Sequence, residues 1–238
     1  MPRTSMLAAT GYATLAIADT LMAASGNPKT RRLRRLTKPL LMPALAASFA
    51  ASTSSTKIRL RRGVLAAHGF SWAGDVALLG GSERALLTGV GSFFAAHVAY
   101  LTAFTSVRRR PADFNTIGLK TAALAWAASA PAVTIAAGRK EAQLRIPIAA
   151  YASVLATMYA ASTMLDESIP PCARRLVRTG TALFLVSDLT LGVNKFVLND
   201  GHPRLGGMVM ATYTAGQGLI ALGVAQAATT TSNRGGPP

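Results

Sequence analysis

Eight apolar segments separated by short basic loops leave this chain few ways to fold. They run over residues 5–25, 37–54, 62–80, 85–106, 115–137, 145–164, 173–194 and 206–228. Each has about the 17–25 residues that cross the hydrocarbon core of a bilayer. Inside hydrocarbon a backbone must satisfy its own N–H and C=O groups, so such segments are predicted as helices. Only 14% of the 238 residues are charged and 50% are hydrophobic, against about 25% charged in soluble domains. The sequence therefore predicts an all-α, polytopic transmembrane bundle of about eight helices. It reads as one domain over 1–228, followed by a disordered tail at 229–238. Pro39 and Pro43 interrupt the second segment and make it the least regular. The first segment, preceded by the single Arg3, reads as a retained helix rather than a cleaved signal.

The net charge is +16, carried largely by loop clusters: Arg31, Arg32, Arg34 and Arg35; Arg59, Arg61 and Arg62; Arg108, Arg109 and Arg110. In a soluble protein such a charge would suggest nucleic acid. Here no soluble basic domain exists to carry that role, and clusters beside spans predict contact with anionic membrane lipids. Basic residues divide evenly between the two sides of an eight-span arrangement, so charge does not orient the chain. The expected location is the cell membrane, with many passes; the sequence leaves the oligomeric state open. The lone Cys172 rules out an internal disulfide and a multi-cysteine metal site. His68, His97 and His202 lack metal-ligand spacing, and no HExxH, GxSxG or P-loop occurs, so neither metal nor cofactor is expected.

The informative residues are the polar ones inside the apolar segments. Asp75 stands in GVLAAHGFSWAGDVALLG (63–80) and Asp188 in TGTALFLVSDLTLGV (179–193). An ionised carboxylate at the centre of a membrane helix costs roughly 3 kcal/mol on insertion scales, and such residues mark proton paths, ion sites or catalytic groups. Ser71, Gly74, Asp75 and Leu78 fall at i, i+3, i+4 and i+7, on one helix face. Phe93, His97 and Tyr100 make a second face, Asp188, Gly192 and Lys195 a third, and Tyr213, Gly216 and Gln217 a fourth. Lys38 opens the second segment. Together these groups can line one polar cavity. Plainer readings compete: Tyr213 and Gln217 as interhelical glue, Lys38 and Lys195 snorkelling to headgroups, His68 as an interhelical hydrogen bonder. Asp19, near a segment end, reads as a structural group reaching interfacial water.

Five motifs in order carry a family resemblance: KPLLMPAL (38–45), SWAGDVALL (71–79), GSFFAAHVAYLTAF (91–104), ALFLVSDLTLGVNKF (182–196) and MATYTAGQGLIALG (210–223). Over residues 38–223 the chain resembles the YhhN-type lysoplasmalogenase family of integral membrane proteins. The resemblance implies an eight-helix bundle that hydrolyses the vinyl ether bond of lysoplasmalogens, or a related lysolipid, to a fatty aldehyde and a glycerophospho-alcohol. It places the family's paired aspartates on Asp75 and Asp188. It places the accompanying polar positions on Lys38, Ser71, His97, Tyr100, Ser187, Tyr213 and Gln217, with Thr214 where many relatives carry a second tyrosine.

Two carboxyl groups suit that chemistry. A vinyl ether hydrolyses through slow protonation of its β-carbon, and one carboxyl has to carry that proton. The other, ionised, can stabilise the oxocarbenium ion and orient water. Which aspartate does which is open at this stage. The substrate would be a lysophospholipid, with Lys38 first and Lys195 second at its phosphate. A proton-coupled transporter using Asp75 and Asp188 is the alternative, and a non-catalytic scaffold is a third reading that leaves two buried carboxylates without a purpose.

Overall fold

The computed structural model describes residues 3–53, 58–109, 116–198 and 202–233; Arg110 and residues 234–238 lie outside them. Among the described residues the chain forms eight helices: α1 Arg3–Ala24, α2 Pro28–Ser52, α3 Ile58–Ala77, α4 Glu83–Thr105, α5 Thr116–Lys140, α6 Arg145–Ser162, α7 Pro171–Gly192 and α8 Pro203–Asn233. A 3₁₀ turn, Ala142–Leu144, leads into α6, and a π-helical turn, Val193–Val197, continues α7. The fold is an all-α polytopic bundle. Six helices are long and apolar enough to cross a membrane. The other two, α2 and α3, begin with the arginine clusters at 31–35 and 59–62 and fall short of the eight spans expected.

Several boundaries differ from the sequence reading, and three of the differences follow from local sequence. First, α2 starts at Pro28, so the basic residues expected in a loop form its opening turns. The Asn27 side chain accepts from the Lys29 N–H at 2.9 Å, and Pro28 occupies the first helical position, where no donor is needed. Second, α3 stops at Ala77. Leu78–Gly80 form a turn before Gly81, which puts Asp75 in the last turn of α3 rather than well inside a span. Third, α8 continues five residues past the expected end, because no Gly or Pro interrupts the chain between Gly223 and Gly235.

Pro39 and Pro43 do not break α2. Pro43 has no N–H to give the carbonyl four residues earlier, and Trp72 of α3 replaces that donor: its Nε1–H bonds the Pro39 carbonyl at 3.0 Å.

Consecutive helices pair as α1/α2, α3/α4, α5/α6 and α7/α8. Further contacts of α2 with α3, α4 with α6, α6 with α7, and α8 with α1 close seven helices into a ring, with α5 outside it on α6. The α7/α8 seam is tight because Gly180 and Gly216 face each other. A Cβ on Gly180 would stand 2.7 Å from the Gly216 carbonyl oxygen, and one on Gly216 2.8 Å from that of Gly180. Small residues permit this approach where no hydrophobic force drives helices together. Leu41, Met42, Phe104, Phe184 and Ile220 fill the interior, while Leu7, Leu36, Ile117, Leu124 and Ile146 point outward, as lipid-facing residues do. One end of the bundle collects the start of α2, the ends of α3, α5 and α7, and the starts of α4, α6 and α8.

Candidate active site

Near that end, six helices of the ring and α5 enclose a cavity of about 540 Å³. Lys38 from α2, Asp75 from α3, Phe93 from α4, Tyr151 from α6, Asp188 from α7 and Tyr213 from α8 all stand on its wall. The remainder is largely apolar, with Trp126, Ala130 and Val133 of α5 and Ile148 and Leu155 of α6. Arg31, Arg34 and Arg35 of α2 and Lys195 of the π-helical turn give it a cationic rim. The cavity is therefore amphipathic, with both aspartates on a single surface.

The two carboxylates have different partners. Asp75 Oδ1 lies 3.2 Å from the Lys38 ammonium, and its Oδ2 accepts the Tyr213 hydroxyl at 2.7 Å. Lys38 sits one turn inward of the rim arginines, so the lysine expected at a lipid headgroup is held by an aspartate instead. Asp188 accepts the Tyr151 hydroxyl at Oδ2. Its nearest basic group is His97 Nε2 at 3.9 Å, which is a cation only when protonated. His97 Nδ1 contacts the Phe93 carbonyl at 2.5 Å. That carbonyl can only accept, so Nδ1 carries the ring hydrogen and Nε2 is turned toward Asp188. Nε2 has no hydrogen-bond partner among the described residues.

Aromatic rings separate the two carboxyl clusters. Phe184 packs edge-on against His97 at 4.8 Å and Tyr213 at 5.4 Å between ring centroids. Phe93 packs on Phe184 and Tyr213. Gly74 makes this possible: a Cβ there would come within 2.6 Å of the Phe93 ring.

Four of the other sequence-derived positions lie behind the wall. Gln217 links three helices, accepting the Tyr100 hydroxyl at Oε1 and donating from Nε2 to Ser71 Oγ at 2.9 Å. Ser71 thus meets Gln217 rather than Asp75. Ser71, His97, Tyr100 and Gln217 are fully buried and are not among the cavity-lining residues. Ser187 lines the cavity and donates to the Val209 carbonyl at 3.0 Å, tying α7 to α8. Lys195 is on the rim, and Lys140 Nζ donates to its backbone carbonyl, which the wide π-helical turn leaves available.

Two other sequence readings change. His68, expected as an interhelical hydrogen bonder, has neither ring nitrogen bonded among the described residues; it packs between Phe49 and Tyr100 instead. Asp19 does not reach interfacial water: it is fully buried and forms a two-pronged pair with Arg34, at 3.0 Å for both contacts.

Tyr151 is the residue that sequence reasoning missed. A signal existed, since Ile148, Tyr151, Ala152 and Leu155 fall at i, i+3, i+4 and i+7 and all line the cavity. No carboxylate on its own helix drew attention to it. Among the described residues no group of three or more His, Cys, Asp or Glu is arranged to hold a metal ion.

Comparison with known proteins adds two findings. The YhhN family model matches residues 33–224, which include Lys38, both aspartates, Tyr151 and Tyr213. The lysoplasmalogenase TMEM86B of Sus scrofa is 32% identical over 156 residues, a match covering 66% of this chain and 60% of that protein's length. No solved structure matches.

Proposed function

This chain belongs to the YhhN family, and we propose that it is a hydrolase of the cell membrane that cleaves the vinyl ether bond of lysoplasmalogens or a related lysolipid. The observation that carries the reading is one amphipathic cavity with two unlike carboxyl groups on its wall, one paired with a cation and one facing, among the described residues, a tyrosine and a histidine. The relative named a lysoplasmalogenase supports the substrate class.

The difference in partners divides the labour. The Lys38 ammonium compensates a negative charge on Asp75, so Asp75 is the ionised member. Asp188 has no such cation among the described residues and is the proton donor. Asp188 gives its proton to the β-carbon of the vinyl ether, and an oxocarbenium ion forms at the carbon bearing the ether oxygen. Preorganised negative charge on Asp75 stabilises that cation and orients the attacking water. The resulting hemiacetal collapses to a fatty aldehyde and a glycerophospho-alcohol. The proton lost by the water restores Asp188, so each turnover consumes one water and no net proton. The apolar wall formed by α5 and α6 takes the fatty chain.

The direct experiment is incubation of the purified protein with a lysoplasmalogen and measurement of released aldehyde. Stoichiometric aldehyde and lysolipid loss support the reading. Absence of aldehyde from folded protein, with substrate flux across proteoliposomes, would replace it with the transporter.

A further inference from the structure

We propose that Tyr100 and Gln217 are positioning residues for Asp75: with Tyr213 they form a one-way chain of hydrogen bonds that fixes the Tyr213 hydroxyl as a donor to the Asp75 carboxylate. The chain deepens the reading above, which takes Asp75 as the ionised member, but its test needs neither lipid nor turnover.

The chain crosses three helices. The Tyr100 hydroxyl of α4 donates to Gln217 Oε1 of α8, and Gln217 Nε2 donates to Ser71 Oγ of α3 at 2.9 Å. The Gln217 side chain also hydrogen-bonds the Tyr213 hydroxyl, one turn back on α8. With Oε1 turned to Tyr100, the group that Gln217 offers Tyr213 is its second N–H. The Tyr213 hydroxyl then sends its single hydrogen to Asp75 Oδ2, at 2.7 Å. Ser71, Tyr100 and Gln217 are fully buried, which keeps bulk water from competing for these bonds. Phe104 stacks on the Tyr100 ring and His68 packs edge-on against it, at 5.8 and 6.3 Å between centroids, so the Tyr100 hydroxyl is held in place.

The consequence falls on the Asp75 proton. Asp75 Oδ1 faces the Lys38 ammonium, which has hydrogens to give and no lone pair. A protonated Asp75 would therefore have to donate from Oδ2, and Tyr213 would have to accept there. Tyr213 can accept only if its own hydrogen finds another acceptor, and the chain turns an N–H toward it instead. Among the described residues, the other ionisable groups acting on Asp75 are Asp19 and Tyr12 of α1 and Asp188 of α7. Each is engaged elsewhere: Asp19 with Arg34, the Tyr12 hydroxyl with the Thr214 carbonyl at 2.7 Å, and Asp188 with Tyr151. The rim arginines of α2 are donors as well, and α4 presents the Phe93 ring on this side. Neither Tyr100 nor Gln217 lines the cavity, so both act on Asp75 through Tyr213.

The test reads the Asp75 proton directly, by infrared difference spectroscopy of the full chain in detergent during an acid titration. The carboxyl band that Asp75→Asn abolishes reports its protonation, and in the parent that band should be absent at neutral pH. Tyr100→Phe removes one oxygen and frees Gln217 Oε1 to turn and take the Tyr213 hydrogen. The band should then come in at least about one pH unit higher than in the parent, the size of one hydrogen bond to a charged group. Gln217→Leu should do the same; where it fails to fold, Tyr100→Phe carries the test alone. In a Tyr213→Phe background Tyr100→Phe should add no further shift, whereas a general loosening of the packing would. An Asp75 already protonated in the parent at neutral pH, an unshifted Tyr100→Phe, or an equal extra shift in the Tyr213→Phe background overturns the proposal. Aldehyde release is a separate readout. A protein that shows these shifts yet cleaves no lysoplasmalogen keeps the chain and loses the hydrolase reading; one that cleaves it with an unshifted Tyr100→Phe keeps the hydrolase and loses the chain.

Discussion

The Lys38 ammonium stands 3.2 Å from the Asp75 carboxylate, on the wall of the cavity that also exposes Asp188. Lys38 and Asp75 belong to different helices, and both side chains are almost completely buried. The pair sets a cation against the Asp75 carboxylate inside the protein, and the chemistry proposed here depends on that asymmetry with Asp188.

Removing either carboxylate should stop turnover. Asp75→Asn and Asp188→Asn are each expected to lower the rate of aldehyde release at least ~100-fold, since positioned acid and base groups typically contribute 10²–10⁴. The comparison requires equal yields of folded protein in detergent. A variant that turns over at near the parent rate would take its aspartate out of the mechanism.

The ion pair should matter for folding as well. Lys38→Met leaves Asp75 buried without its cation, and breaking a buried pair on one side costs about 3–5 kcal/mol. Thermal unfolding in detergent should show a large drop in midpoint. The double variant Lys38→Met/Asp75→Asn should recover most of that midpoint yet remain inactive. Stability of Lys38→Met equal to the parent would mean that the pair is not formed in the folded protein.

Tyr151 is expected to act on Asp188 through its hydroxyl. Tyr151→Phe removes a hydrogen bond to Asp188 that strengthens as this carboxyl gives up its proton and becomes charged, and bonds to charged groups are worth about 1.5–3 kcal/mol. It should reduce kcat by about 10- to 100-fold with little change in KM. A change confined to KM would recast Tyr151 as a contact of the lipid chain rather than of the acid.

The α7/α8 seam should tolerate no added side chain at its centre. Gly216→Val would drive a Cβ to 2.8 Å from the Gly180 carbonyl oxygen, so little folded protein is expected on size-exclusion chromatography. Gly218→Ala serves as the control, because its Cβ would meet only Tyr12, at 3.4 Å. Folded Gly216→Val in normal yield would mean that the two helices can separate.

Chelation should leave the activity unchanged. The described residues bring together no set of three metal-ligating acids, histidines or cysteines, and the proposed acid and base are both carboxyl groups. Aldehyde release should survive prolonged EDTA treatment. Loss that a particular divalent ion restores would replace the two-carboxyl scheme.

How far the sequence went is plain from particular residues. Asp75 and Asp188 stood out because a carboxylate in an apolar run is costly wherever the chain folds. Lys38, Tyr213 and Gln217 were found through motif and helical spacing, and each lies within this cluster or directly behind it. Their pairings were not legible. That Tyr213 serves Asp75, that Gln217 joins Tyr100 to Ser71, and that Tyr151 serves Asp188 are relations between residues on different helices. Periodicity describes one helix at a time and carries no record of which faces meet.

By itself the sequence determined the class of fold, because apolar segments of membrane length can satisfy their backbone hydrogen bonds only as helices. It also determined which side chains were too polar for their surroundings to be packing alone. The tertiary structure decided the rest. The ring of seven helices set which faces meet, the early end of α3 set the depth of Asp75, and the early start of α2 carried its arginines onto the cavity rim. Those outcomes come from packing between helices, where a glycine pair such as Gly180 and Gly216 or a borrowed donor such as Trp72 fixes geometry that no single segment encodes.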